Sequence, residues 1–102
     1  MICCCRPPQP EESRDPCLAG SRLAVREKAA VIEGSGRNRL RKNPSLSARI
    51  IELIPEGDPV KILEGPECND GLVWWRVRVL ETGATGWTAE MRDGDYYLRP
   101  LD

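Results

Sequence analysis

Histidine and phenylalanine are both missing from the 102 residues of this chain, and its aromatic content stops at three tryptophans and two tyrosines. Without imidazole, Ser-His and Cys-His nucleophile pairs, histidine-bearing zinc sites and imidazole acid-base chemistry are all excluded. Long apolar runs are lacking as well, since no uncharged stretch approaches the roughly 20 residues that a transmembrane helix needs. Net charge is close to zero, at −1. With 40% apolar and 30% charged residues, the composition is that of a folded protein rather than a disordered or membrane-spanning one. The length suits one ordinary domain plus a tail. Composition therefore leans away from catalysis, and neither cofactor nor metal is expected.

What is present is unevenly distributed. Residues 1–49 hold ten Lys+Arg against five Asp+Glu, whereas residues 50–102 hold five against eleven. Trp74, Trp75, Trp87, Tyr96 and Tyr97 all fall in the last third. Pro7, Pro8, Pro10 and Pro16, set among charged residues, block helix and sheet and offer little to bury, so residues 1–28 are expected to form a disordered leader and residues 29–102 the folded domain. An export signal would need a basic start and an apolar stretch of about 7–15 residues, whereas Ile2–Cys5 spans four before Arg6 and Pro7. Taken as written, the chain is expected in the cytoplasm. Cys3, Cys4, Cys5, Cys17 and Cys68 form an odd set without CxxC spacing, which argues against a zinc site and for free thiols on the leader.

From residue 37 onward, short strand-like segments alternate with turn residues, the pattern of a small all-β barrel or sandwich. Ala30-Val31-Ile32 reads as a first strand, followed by Arg37–Arg41, Ile50–Ile54, Val60–Glu64, Leu72–Leu80, Ala84–Ala89 and Tyr96–Arg99. Asn43-Pro44-Ser45, Pro55-Glu56-Gly57 and Glu81-Thr82-Gly83 supply turns. In the longest strand, period-two geometry puts Trp75, Val77 and Val79 on one face and Trp74, Arg76 and Arg78 on the other. Arg37, Arg39 and Arg41 likewise share one side of a strand that reads as a sheet edge, where positive charge discourages aggregation.

The succession Asn38-Arg39-Leu40-Arg41, Asn43-Pro44-Ser45, Ile51–Ile54, Pro55-Glu56-Gly57, Val60–Leu63, Trp74–Val77, Thr85-Gly86-Trp87 and Tyr97-Leu98 resembles the bacterial SH3-like (SH3b) domain family over about residues 29–101. Leu40 stands where the family usually has valine, and Lys42-Asn43 where it usually has Ser-Gly. The resemblance implies a partly open SH3-type barrel of five to seven short strands without catalytic activity. It also implies a module that binds cell-wall peptides or serves in targeting and docking.

A ligand groove follows from these readings. With Val77 and Val79 committed to the core, Trp75 is expected inside and Trp74 on the outer face or rim, where it either offers a large rigid ring that binds peptides at small entropic cost or merely covers the barrel end. One of Tyr96 and Tyr97 is expected to border the same groove; Glu67 and Asp70, in the acidic loop Glu64–Asp70, either flank it with carboxylates suited to cationic ligands or belong to a solvated turn kept soluble by its charge. The expected partner is an extended peptide, such as a peptidoglycan stem or cross-bridge. The alternatives are a proline-rich protein segment bound by an intracellular docking domain, and a structural domain with no ligand. A nucleic-acid partner is not expected, because the basic run and the aromatics lie in different halves of the chain. Trp75→Ala is expected to unfold the domain and Trp74→Ala to leave it folded.

Overall fold

Turn-forming glycines, β-branched residues in short runs and the absence of sustained helical periodicity leave this sequence one way to satisfy its backbone, namely strand pairing. The computed structural model describes residues 18–34 and 36–101. Within them are eight strands and no α-helix: β1 Lys28–Val31, β2 Asn38–Arg41, β3 Ile50–Ile54, β4 Pro59–Asn69, β5 Leu72–Val79, β6 Thr85–Arg92, β7 Asp95–Tyr96 and β8 Leu98–Leu101. Seven of them follow one antiparallel path, β3-β2-β6-β5-β4-β1-β8, and β7 pairs with β6. The sheet curls on itself into a half-barrel, which is the all-β architecture that the strand pattern implies in the partly open form that the resemblance implies.

Its concave face is filled by Ala29, Val31, Leu40, Ile54, Val60, Ile62, Val73, Trp75, Val77, Val79, Met91 and Leu98. These come from β1 to β6 and β8, so the core depends on contacts distant in sequence. Two glycines permit the curl. β6 crosses β2 so closely that a Cβ on Gly86 would lie 2.7 Å from the Arg41 carbonyl oxygen and 2.9 Å from Leu40 Cγ. Gly65 has φ +128°, and a Cβ there would lie 3.0 Å from the Trp75 ring.

Three sequence-based expectations are corrected. Glu64–Asp70 is not a free loop, because β4 continues through Asn69 with its register to β5 shifting between Ile62 and Glu64 and again between Glu64 and Glu67. Those irregularities absorb Gly65-Pro66, whose proline lacks an amide hydrogen for the ladder, and pairing resumes at Glu67 opposite Trp74. β2 is not an edge strand: it lies between β3 and β6, and β3 is the edge at that end of the path. Residues 18–28 of the expected leader belong to the folded body, Lys28 as the first residue of β1. Leu23 is buried in the core and Leu18 packs against it, while Arg26 N donates to the Ile62 carbonyl and Ile62 N to that of Glu27. The rest of the expected leader, residues 1–17, lies outside the described residues.

Glu90 holds this N-terminal segment to the sheet. It sits where the β5–β6 register slips, between Met91 opposite Val73 and Ala89 opposite Trp74, and its side chain is fully buried. Its Oε1 accepts from Ser21 Oγ at 2.7 Å and from Trp75 Nε1 at 2.8 Å, and its Oε2 accepts from Arg22 N at 2.7 Å. The Arg22 guanidinium stacks over the Tyr96 ring at 3.7 Å, and the Tyr96 hydroxyl donates to the Gly20 carbonyl.

Candidate functional site

Strand alternation places Trp74 on the side of β5 opposite the core, as expected, but the ring is only 1% exposed. Trp75, 2% exposed, lies in the core. The Trp74 indole N–H donates to the Asn69 carbonyl at 2.9 Å, so its one donor is used within the protein. The expectation of an open rim tryptophan is therefore corrected. Neighbouring strands cover it, and it lines the wall of a cavity.

That cavity, about 230 Å³, opens where β2, β5 and β6 lie side by side. Leu72 and Trp74 come from β5, and Thr88, Ala89 and Arg92 from β6. Asn38, Arg39 and Arg41 come from β2, with Arg37 just ahead of it. Leu46, from the loop between β2 and β3, and Tyr97, between β7 and β8, complete the lining. Pairing of β2 with β6 and of β6 with β5 thus brings arginines of the basic half beside aromatics of the acidic half, which their separation in sequence had seemed to preclude.

Internal hydrogen bonds fix the walls. Asn38 Nδ2 donates to Thr88 Oγ1 and to the Ala89 carbonyl, and Thr88 Oγ1 donates to the Arg39 carbonyl. Arg41, only 9% exposed, donates from Nη1 to the Leu46 carbonyl at 3.0 Å and the Ala48 carbonyl at 2.8 Å. The same loop is pinned from its far side by Asp70, whose Oδ2 accepts from Leu46 N at 2.9 Å, and by Asn69 Nδ2, which donates to the Pro44 carbonyl.

Of the five residues proposed for the groove, Trp74 and Tyr97 line the cavity together, while Tyr96, Glu67 and Asp70 do not. Tyr96 faces the N-terminal segment and the core edge. Glu67 is exposed on β4, and Asp70 spends its carboxylate on the Ser45–Leu46 backbone and hydroxyl. The lining holds four arginines and no carboxylate, the reverse of the expected charge. Sequence reasoning missed Arg92 and the joint placement of Arg37, Arg39 and Arg41. The alternation of those three was legible, but their neighbours in space were not. Among the described residues no cluster of three or more potential metal ligands occurs, and Cys68 is disulfide-bonded rather than a free thiol.

A curled antiparallel half-barrel with a small aromatic and cationic cavity on its outer face defines a compact binding module. The chain belongs to the bacterial SH3 domain family, whose model matches residues 36–91. The match runs from the approach to β2 almost to the end of β6, so it takes in most of the cavity, whereas Arg92, Tyr97 and the N-terminal segment lie beyond it. No curated protein matches the chain.

Proposed function

We propose that this domain is a non-catalytic targeting module that binds an extended peptide, of the kind found in cell-wall peptidoglycan, across the cavity formed by β2, β5 and β6. The observation that carries the reading is the cavity itself, with aromatic walls at Trp74 and Tyr97 and polar groups fixed by Arg41, Asn38 and Thr88. Its volume is below the roughly 300–1,000 Å³ of sites that enclose a whole drug-sized ligand. It suits one residue of a longer chain whose remainder lies along the surface. Membership of the bacterial SH3 family supports a binding role. A disulfide at Cys68 is in keeping with an oxidising compartment such as the cell envelope.

Docking of a proline-rich segment needs an exposed aromatic groove, and a tryptophan buried to 1% exposure with its N–H already bonded weighs against it. The test is calorimetric titration of the full chain with soluble peptidoglycan peptides and, in parallel, with a proline-rich peptide. Saturable binding of the wall peptides alone is expected. Saturation by the proline-rich peptide alone would replace this reading with docking, and heat from neither would leave a structural domain.

A further inference from the structure

Resting on the reading of the cavity as a peptide site, we infer that it is selective for a carboxylate-bearing residue of the ligand, with Arg39 and Arg92, supported by Arg37, as the groups that recognise the charge. Four guanidinium groups line one cavity of about 230 Å³ whose walls include no acidic residue. Arg37, Arg39 and Arg92 are exposed and Arg41 is buried behind them, so together they set a positive potential at the mouth of the cavity that no carboxylate of its walls offsets. The ion pairs among the described residues lie elsewhere, between Arg76 and Glu64 and between Arg99 and Glu33. Arg37, Arg39 and Arg92 have neither an ion pair nor a hydrogen bond from their side chains to any described residue.

The remaining polar groups of the walls are already used. Asn38, Thr88 and the Trp74 N–H all bond within the protein, so what the cavity offers a ligand is guanidinium donors, aromatic surface and the apolar side chain of Leu46. A carboxylate on a short aliphatic stem matches that combination. The planar guanidinium fork pairs with carboxylate oxygens two at a time, while the exposed Leu46 and the half-buried Tyr97 cover the stem. Arg41 differs from the other three, being buried and committed to two loop carbonyls. It keeps the Leu46 side of the cavity in place and adds positive potential behind the site. Phosphate would satisfy the same forks, but a strand of nucleotides would also need open aromatic faces on which to stack bases, and Trp74 is covered by its neighbours.

The test uses the full chain and four probes: two capped tripeptides identical except for a central glutamate or glutamine, inorganic phosphate, and a short oligothymidylate. Tryptophan fluorescence and calorimetry read the binding. The glutamate peptide is expected to bind about tenfold or more tightly than the glutamine peptide. That advantage is expected to shrink as salt rises from roughly 0.01 M to 0.1 M, because the Debye length falls from about 30 Å to about 10 Å. It is expected to disappear in the Arg39→Gln/Arg92→Gln double variant, whose exposed positions leave the domain folded with a melting temperature no lower than the parent's. Equal affinity for the two peptides would overturn the charge selectivity while leaving the peptide site standing. Tighter binding of the oligothymidylate or of inorganic phosphate than of the glutamate peptide would overturn the assignment to carboxylates. Silence with all four probes would overturn both the selectivity and the peptide site on which it rests.

Discussion

Replacing Glu90 with glutamine tests whether the N-terminal segment is part of the domain. Glutamine keeps the shape and one oxygen, so Trp75 Nε1 and Ser21 Oγ, which both reach Oε1, retain an acceptor. Each bond then loses its charge assistance, a difference of roughly 1 kcal/mol apiece. The other oxygen becomes an amide NH₂ facing the Arg22 N–H that now donates to it. Two donors face each other there, and a buried unsatisfied donor costs about 1–3 kcal/mol. Relief of the carboxylate's desolvation offsets part of this. The net expectation is a loss of about 2–3 kcal/mol, or roughly 8–24 °C in melting temperature for a domain of this size. Thermal unfolding followed by circular dichroism gives the magnitude, and hydrogen exchange gives the location, with protection at Arg22 and Arg26 falling before that of β5. A Glu90→Gln variant that melts within about 2 °C of the parent, or that loses β5 protection first, would refute the argument that Glu90 ties residues 18–27 to the sheet.

Trp74→Ala is expected to destabilise by about 3–5 kcal/mol, comparably to Trp75→Ala, because both rings are buried; a Trp74→Ala protein that unfolds with the parent in a denaturant titration would contradict the burial. Gly86→Ala is expected to cost about 1–3 kcal/mol from the clash with the Arg41 carbonyl and Leu40, and an unchanged midpoint would show that β6 does not cross β2 so closely. Hydrogen bonds from Arg99 hold the Glu33 carboxyl below the usual glutamate range. The small stability this adds is therefore complete above the ordinary glutamate pKa and fades as pH falls through the lowered folded-state value. The gap in melting temperature between parent and Glu33→Gln should accordingly close on acidification; a gap that widens would have the wrong sign.

The strand order in sequence and the split of β5 into two faces could be read directly, because period-two alternation in Leu72–Val79 is a local property. The course of β4 could not. Gly65-Pro66 signals a turn locally, and only pairing with β5 on both sides of it shows that the strand continues. The side of Trp74 was legible and its burial was not, since it depends on which strands flank β5 and on the bond from its N–H to the Asn69 carbonyl of β4, which topology sets. The same limitation inverted the charge expected around Trp74. Glu67 and Asp70 are near Trp74 in sequence, but Asp70 faces the Ser45–Leu46 loop, and the groups that reach the cavity are arginines up to 37 positions away. Glu90 carried no sequence signal beyond being a charged residue in a strand, where solvent exposure is the ordinary expectation.

Location of the ligand is the central claim, and amide-resolved NMR titration with a soluble peptidoglycan peptide tests it most directly. The account predicts saturable shifts confined to Arg39, Leu46, Trp74, Ala89, Arg92 and Tyr97, the residues that the β2-β6-β5 pairing gathers around one cavity. Saturable shifts along the exposed edge strand β3 or around Tyr96, with the cavity silent, would contradict it.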